Sequence, residues 1–291
     1  MRNALIKLVG MMLILCVITS QGVVDSSDVR VITYNLRSGQ GYGEHDGKTV
    51  AERMSIIGEA IKAFNPDLLI IQEPGSDHRY YDTLVMAMGS DYQYRLLKCS
   101  GYSKARQVGL LVFNTRVVID SADYCIQGTD SRTSTLFNHW GRVVLRIDDQ
   151  PLIVYGFKLA PRDRAEQRRR QIDLLEPYLK HDLAQQYPVL IAGDFNHRPI
   201  DPEYSRWQAL GLVDTFEALP QDDGFTKMDE LGDNLWVPYR RIDYLLCSLN
   251  LSELLVAPAR VLREGLFVPQ PPYRRWSLSD HLPVMATFRL P

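Results

Sequence analysis

Polar side chains that bear oxygen stand where apolar runs stop in several places along this chain. Val-Ile-Thr-Tyr runs into Asn35 and Leu-Leu-Ile-Ile-Gln into Glu73. Val-Leu-Ile-Ala-Gly runs into Asp194, with Asn196 two residues on. Ligands of α/β folds gather beyond the carboxyl ends of strands. Singly, each residue has an ordinary explanation: a solvated strand end for Glu73, an Asx-type turn for Asp194 and Asn196, a loop cap for Asn35. Asp243 is harder to dismiss, because it lies inside Arg241-Ile-Asp-Tyr-Leu-Leu-Cys247 on the face of Leu245 and Cys247. A carboxylate in such a strand needs a partner. Arg241, two residues away on the same face, could supply it. So could a histidine whose ring Asp243 orients, and Ser279-Asp280-His281 offers one just before the apolar run Leu282 to Phe288. Together the pieces describe hard oxygen ligands beside a histidine held by a carboxylate. Such ligands without supporting cysteine point to Mg²⁺, or Mn²⁺, rather than zinc. The chain contains no HExxH, no GxSxG and no P-loop. A carboxylate-bound magnesium beside an Asp–His pair suits attack of water on phosphorus.

The elements that must position these residues follow from periodicity. Apolar runs predict strands at Val29 to Tyr34, Leu68 to Ile71, 92–97, 107–113, 117–125, 142–147, Leu152 to Leu159, Val189 to Ala192, Ile242 to Cys247 and Leu282 to Phe288. Met54, Ile57, Ile61 and Phe64 recur at helical spacing and predict a helix over Val50 to Phe64. Ile172, Leu175 and Leu179 predict a second over Asp163 to Leu179. Strand-rich halves with a helix each imply an α/β fold: two packed β-sheets flanked by helices, a four-layer sandwich. No repeat or Pro/Gly/Ser-rich linker divides residues 28–291, which read as one catalytic domain.

The first residues are of another kind. Arg2 and Lys7 precede an apolar stretch from Leu8 to Ile18, then Thr19-Ser20-Gln21-Gly22. This is the pattern of a secretory signal peptide over 1–22, too short for a comfortable membrane span of about 20 residues. The expectation is an exported protein, periplasmic or extracellular, with no membrane span left after cleavage; an uncleaved anchor is the alternative. Mass spectrometry of the protein from its native host should then find an N-terminus near residues 21–23, and Met1 on soluble protein would refute cleavage. Loss of Arg2 and Lys7 moves the formal charge from −2 to −4, so bulk charge does not suit the mature chain to coating nucleic acid; a local basic groove would still suffice. Cys99, Cys125 and Cys247 would remain, either as a Cys99–Cys125 disulfide with one free thiol or as three buried thiols.

Tyr34-Asn35, Gln72-Glu73, Gly193-Asp194-Phe195-Asn196, Arg241-Ile242-Asp243-Tyr244 and Ser279-Asp280-His281 resemble, in order, the motifs of the endonuclease/exonuclease/phosphatase superfamily. That group contains DNase I, exonuclease III, inositol-polyphosphate 5-phosphatases and bacterial sphingomyelinases. The resemblance runs from about Val29 to Leu290. It implies a DNase I-like fold and a Mg²⁺-dependent hydrolase of phosphate esters. Glu73 would be the main metal ligand, with Asn35 beside it and Asp280 near the metal. Asp194 and Asn196 would position or activate water and contact phosphate, and Asp243 would orient His281. One departure stands out. Relatives commonly carry Thr-His-Leu where this chain has Phe157-Lys158-Leu159, so Lys158 takes the place of a histidine. The substrate could be a nucleic acid, a phospholipid head group or a soluble phosphoester; a catalytically inactive module that binds phosphate ligands is the rival. Arg162, Arg164 and the loop from Pro271 to Trp276 could touch substrate, and His197 follows Asn196 closely enough to matter. No protein partner is inferred.

Overall fold

The computed structural model describes residues 28–43, 47–75, 77–97, 109–123, 139–161, 163–216, 224–231, 235–268 and 276–291. Residues 1–22, His45, Cys99, Cys125, Arg162 and residues 271–275 lie outside these segments. The order is β1 (Asp28–Asn35), β2 (Tyr42–Gly43), α1 (Val50–Lys62), β3 (Leu68–Gln72), α2 (His78–Met88), β4 (Tyr92–Leu97), β5 (Gly109–Asn114), β6 (Val117–Asp123), β7 (His139–Ile147), β8 (Gln150–Lys158), α3 (Ala165–Ala184), β9 (Val189–Asp194), α4 (Pro202–Ala209), β10 (Leu212–Asp214), β11 (Lys227–Leu231), β12 (Leu235–Arg240), β13 (Asp243–Ser248), α5 (Leu249–Ser252), β14 (Leu255–Val261), β15 (Trp276–Ser277) and β16 (Val284–Arg289).

Two six-stranded sheets result, ordered β14-β16-β1-β3-β5-β4 and β10-β13-β9-β8-β7-β6. Each is built around one parallel pair, β1 with β3 and β8 with β9, joined through α1 and α3 respectively. The other pairings within these sheets are antiparallel. The strand period of two sorts the side chains between layers. Leu152 and Val154 of β8 face the inter-sheet core, while Ile153, Tyr155 and Phe157 pack outward with Ile172, Leu175 and Leu179 of α3 and Trp207 of α4. In β13, Leu245 and Cys247 face inward, and Tyr244 and Leu246 outward. On the other side α1 buries Met54, Ile57 and Ile61 against the first sheet. The expected four-layer sandwich is therefore the observed architecture.

Local chemistry sets several boundaries. Thr49 caps α1 in a reciprocal pair with Glu52, satisfying two orphan donors of the first turn. Gly156 lets the sheets close, since a Cβ there would lie 2.9 Å from both Ile70 Cγ2 and Leu97 Cδ1. α2 is a helix beyond the two expected, with Tyr81, Leu84, Val85 and Met88 buried at helical spacing. β14 is likewise a strand beyond those expected, an edge strand with Pro258 inside it and no apolar alternation to announce it.

Candidate active site

The parallel pairs fix where chemistry can occur. Asn35 ends β1, Glu73 follows β3, Lys158 ends β8 and Asp194 ends β9, so four carboxyl-terminal strand ends meet at one edge of the sandwich. The antiparallel neighbours contribute their beginnings: Asp243 opens β13, in register with Asp194, and His281 lies just before β16. The alternation that faces Leu190, Ala192 and Leu245 inward faces Asp194 and Asp243 inward too. Asp194 and Asp243 thus converge at the rim from within their strands, and Glu73 and His281 join them from the residues just outside theirs.

Asp194 is the hub. Its Oδ2 accepts from Asn35 Nδ2 at 3.0 Å and lies 3.3 Å from Lys158 Nζ, and its Oδ1 accepts the Asn196 amide at 3.0 Å. Gly193 before it is required, because a Cβ would stand 1.9 Å from the Phe157 carbonyl oxygen. Burial, the largest influence, pushes the Asp194 carboxyl above the ordinary range, although Lys158 and His281 oppose it. Glu73 leaves its strand in the left-handed region, φ 50°, uncommon for a non-glycine residue. Its Oε1 accepts from Asn35 Nδ2 at 3.2 Å and from Lys158 Nζ. Burial raises the Glu73 carboxyl, but the Lys158 and Asn35 contacts outweigh it and the net direction is down. Lys158 is held charged: burial works against its ammonium, yet Asp194 and Glu73 move its pKa up.

His281 is fixed from one side and open on the other. Its Nδ1 lies 2.8 Å from Asp243 Oδ2 and 3.1 Å from Oδ1, so Nδ1 carries the donated proton in the tautomer these partners select. Nε2 then faces Asp194 Oδ2 and Asp280 Oδ1, each 3.9 Å away. Burial lowers the imidazole pKa, but Asp243, Asp194 and Asp280 carry it above the ordinary value. Thr226 completes the support: its hydroxyl donates to Asp243 Oδ2 at 2.5 Å and accepts from the Asp243 amide at 3.1 Å. Arg241 is not the partner of Asp243. It pairs with Asp214 and stacks over Phe216 and Tyr244.

Asp280 takes a different neighbourhood from Glu73. Its carboxylate is paired with Lys227 and lies 3.8 Å from Arg37 Nε. Burial raises its pKa, but His281, Lys227 and Arg37 together bring it down to about 2. Ser279 ties this segment to the first strand, its hydroxyl donating to the Asn35 carbonyl at 2.6 Å. Asn196 sits beside the site with its carboxamide donating to the Leu159 carbonyl at 3.0 Å. The structure thus brings Asn35, Glu73, Lys158, Asp194, Asp243, Asp280 and His281 to one edge. Arg37, Thr226 and Lys227 join them there and were not legible in sequence. Thr226 and Lys227 sit in no apolar run, and Arg37 acquires its place only through a turn of left-handed backbone at Arg37 and Ser38.

Oxygen donors dominate the cluster, as a hard divalent cation requires. Among the described residues nothing hydrogen-bonds Glu73 Oε2, and the Glu73 side chain keeps 30% exposure where Asp194 keeps 1%. A metal-sized grouping also exists at Asp194, Asp243 and His281, with one ligand atom of each within 4.8 Å of the others. There, however, both Asp243 oxygens already serve His281. The open oxygen of Glu73 fits a cation better.

His197 belongs to the scaffold. Its Nε2 accepts from Trp207 Nε1 at 2.9 Å, and its ring lies edge-on to Phe195. Burial depresses its pKa from 6.5 to about 4. As pH falls through 6.5 the unfolded chain takes a proton that the folded chain refuses until about 4. Stability from the neutral ring is therefore complete above that window and lost across it, by roughly 3 kcal/mol in all. His197→Gln, which keeps an acceptor for Trp207, is expected to flatten the fall in denaturation free energy between pH 6.5 and 4. Identical slopes for the two proteins would remove His197 as the cause.

Comparison with known proteins bears on the family and the fold. The family model described as endonuclease/exonuclease/phosphatase family matches residues 32–281. No curated protein matches the chain by sequence. Among solved structures, TDP2 from C. elegans aligns over 90% of this chain and 75% of its own, with TM-score 0.63 and 18% identity. TDP2 from D. rerio, solved with a single-strand DNA product, aligns over 91% of this chain and 100% of its own at TM-score 0.63 and 18% identity. A mannosyl-6-phosphatase of Bacteroides thetaiotaomicron aligns over 89% and 98%, at TM-score 0.64 and 16% identity. At such identities these likenesses establish the fold.

Proposed function

The chain belongs to the endonuclease/exonuclease/phosphatase family, and on that premise we propose that it is an exported hydrolase of phosphate esters, acting by in-line attack of water on phosphorus. The observation that carries the reading is the orientation of His281. Nδ1 is tied to Asp243, and Nε2 is aimed into the space bounded by Asp194 and Asp280. Asp194, with its carboxyl pushed up by burial, is suited to accept a proton from attacking water. His281, with its pKa raised, offers a proton or a positive hydrogen bond to phosphoryl oxygen. Asn35 and Asn196 hold the Asp194 carboxylate so that its orientation does not have to be found during reaction.

Mg²⁺, with Mn²⁺ as the alternative, would be held by Glu73 with Asn35 and Asp280 near it. A divalent cation supplies Lewis-acid stabilisation of charge on phosphoryl oxygen. Turnover of bis-p-nitrophenyl phosphate and p-nitrophenyl phosphate, each with Mg²⁺, Mn²⁺ or a chelator, tests the reading. Metal-stimulated hydrolysis of either supports it. Phosphate-ligand binding with no turnover under any condition would replace it with an inactive module. Export rests on the N-terminal residues 1–22 and is tested by the mature N-terminus. The substrate class is open between nucleic acid, phospholipid head group and soluble phosphoester.

Lys158 shapes the expected selectivity. Glu73 and Asp194 keep it charged, so it is a fixed cation and a poor proton donor near neutral pH. Esters with good leaving groups should be cleaved far better than alkyl esters. Lys158→Ala should slow both kinds by about tenfold or more, since it removes charge stabilisation common to both. Lys158→His should restore the alkyl ester selectively. The check is kcat/KM for an aryl and an alkyl phosphodiester in all three proteins; Lys158→Ala rates within about twofold of wild type would leave Lys158 no catalytic part.

A further inference from the structure

The carboxylate oxygens of Glu73 and Asp194 are nearly all engaged by the protein itself. Asn35 Nδ2 donates to Glu73 Oε1 at 3.2 Å and to Asp194 Oδ2 at 3.0 Å. Lys158 Nζ meets the same two oxygens, bonded to Glu73 Oε1 and 3.3 Å from Asp194 Oδ2. Asp194 Oδ1 accepts the Asn196 amide at 3.0 Å. Glu73 Oε2 is the one oxygen of the pair with no hydrogen bond among the described residues. The ammonium is fixed there by the sheet. Lys158 closes β8 in register with Asp194 of the parallel strand β9, and the Leu159 amide donates to the Asp194 carbonyl at 2.9 Å. The Lys158 side chain is 12% exposed against 30% for Glu73, so its charge lies on the inner side of the glutamate, where water screens it little.

A hard divalent cation takes its ligands from oxygen, and Mg²⁺ is held by one or two carboxylates together with waters. A dication on Glu73 therefore meets an ammonium that already holds the neighbouring oxygen of the same carboxylate, and two positive charges that close oppose each other. Resting on the metal-dependent reading above, we propose that Lys158 is a built-in counter-cation of the Glu73–Asp194 pair, which competes with the divalent metal for Glu73 and sets the affinity of the site. One side chain then has two uses. Lys158 holds two close carboxylates together while it bonds Glu73, and once displaced it is free for the phosphoryl contact proposed for it. Its removal should weaken the fold and strengthen the metal site, two changes of opposite sign.

Lys158→Gln removes the charge and keeps a hydrogen-bond donor. In chelator its Tm is expected to fall by about 5 °C or more, because a buried carboxylate loses its counter-ion. Mg²⁺ should restore most of that loss by supplying the charge, whereas the wild-type Tm should move little with Mg²⁺. Calorimetric Mg²⁺ titration should give a Kd about tenfold or more lower for Lys158→Gln than for wild type. Lys158→Met should behave in the same direction, and a variant unfolded in chelator should refold on addition of Mg²⁺. Lys180→Gln removes one positive charge from an exposed position on α3 and should match wild type in both measurements. Loss of rate together with gain of metal affinity separates this role from a merely structural one. Equal Mg²⁺ affinity in wild type and Lys158→Gln, or an equal gain in Lys180→Gln, would overturn the counter-cation; so would an unfolded Lys158 variant that Mg²⁺ fails to restore while wild type binds the ion. Absence of Mg²⁺ and Mn²⁺ binding in every protein would instead defeat the metal-dependent reading.

Discussion

Glu73→Gln is expected to lower kcat/KM by about 10²- to 10⁴-fold while the protein remains folded, the scale of loss when a preorganised electrostatic contact is removed. The side chain stands at the open end of a buried strand, with one oxygen engaged by Asn35 and Lys158 and the other turned to no partner among the described residues. Gln keeps the shape and one acceptor for Asn35, so the edge need not rearrange. What it removes is charge, and with it the affinity for a hard cation. Calorimetric Mg²⁺ titration of wild type and variant is the deciding measurement. A weakened or vanished heat of binding is expected. Unchanged Mg²⁺ affinity would take Glu73 out of the metal site, whatever happened to the rate.

His281→Ala and Asp243→Asn are each expected to reduce kcat by about 10³-fold or more, and the double variant by little more than the worse single one. The geometry explains the non-additivity. Asp243 meets His281 through both carboxylate oxygens, and Oδ2 also accepts from the Thr226 hydroxyl. Its influence on the reaction passes through the imidazole. With the ring gone there is nothing left for Asp243 to orient. Asp243→Asn also presents an amide where Nδ1–H needs an acceptor, which favours the other tautomer or a turned ring. A full kinetic cycle across pH checks this: if the double variant shows the product of the two single losses, the two residues act separately. A shift in the pH profile of Asp243→Asn that is absent in His281→Ala is the second expected signature.

Much of this was legible in the chain itself, for a physical reason. A strand's period of two leaves a clear trace in sequence, and a polar residue that ends an apolar run marks the rim of a sheet. Asn35, Glu73 and Asp194 were visible through that rule and Asp243 as a carboxylate inside an apolar strand, and the family resemblance added the order and the roles expected of them. The sandwich followed because alternating faces must each be covered.

Pairing between distant residues was not legible, since sequence states spacing and not approach. Asp243 had two candidate partners. Only the meeting of β13 with the segment before β16 chose His281, leaving Arg241 to Asp214. Lys158 was visible as a departure from the family pattern, but its place between Glu73 and Asp194 required the two parallel strand pairs to face each other. Thr226, Lys227 and Arg37 carry no periodic signal. They reach the site through loop and turn geometry, which depends on packing around them rather than on local propensity. Which oxygen-bearing side chains stand at the strand ends follows from the local pattern of the chain. Which charges pair across the edge was decided by the fold, because those interactions act over a few ångströms between residues as distant in sequence as Arg37 and Asp280.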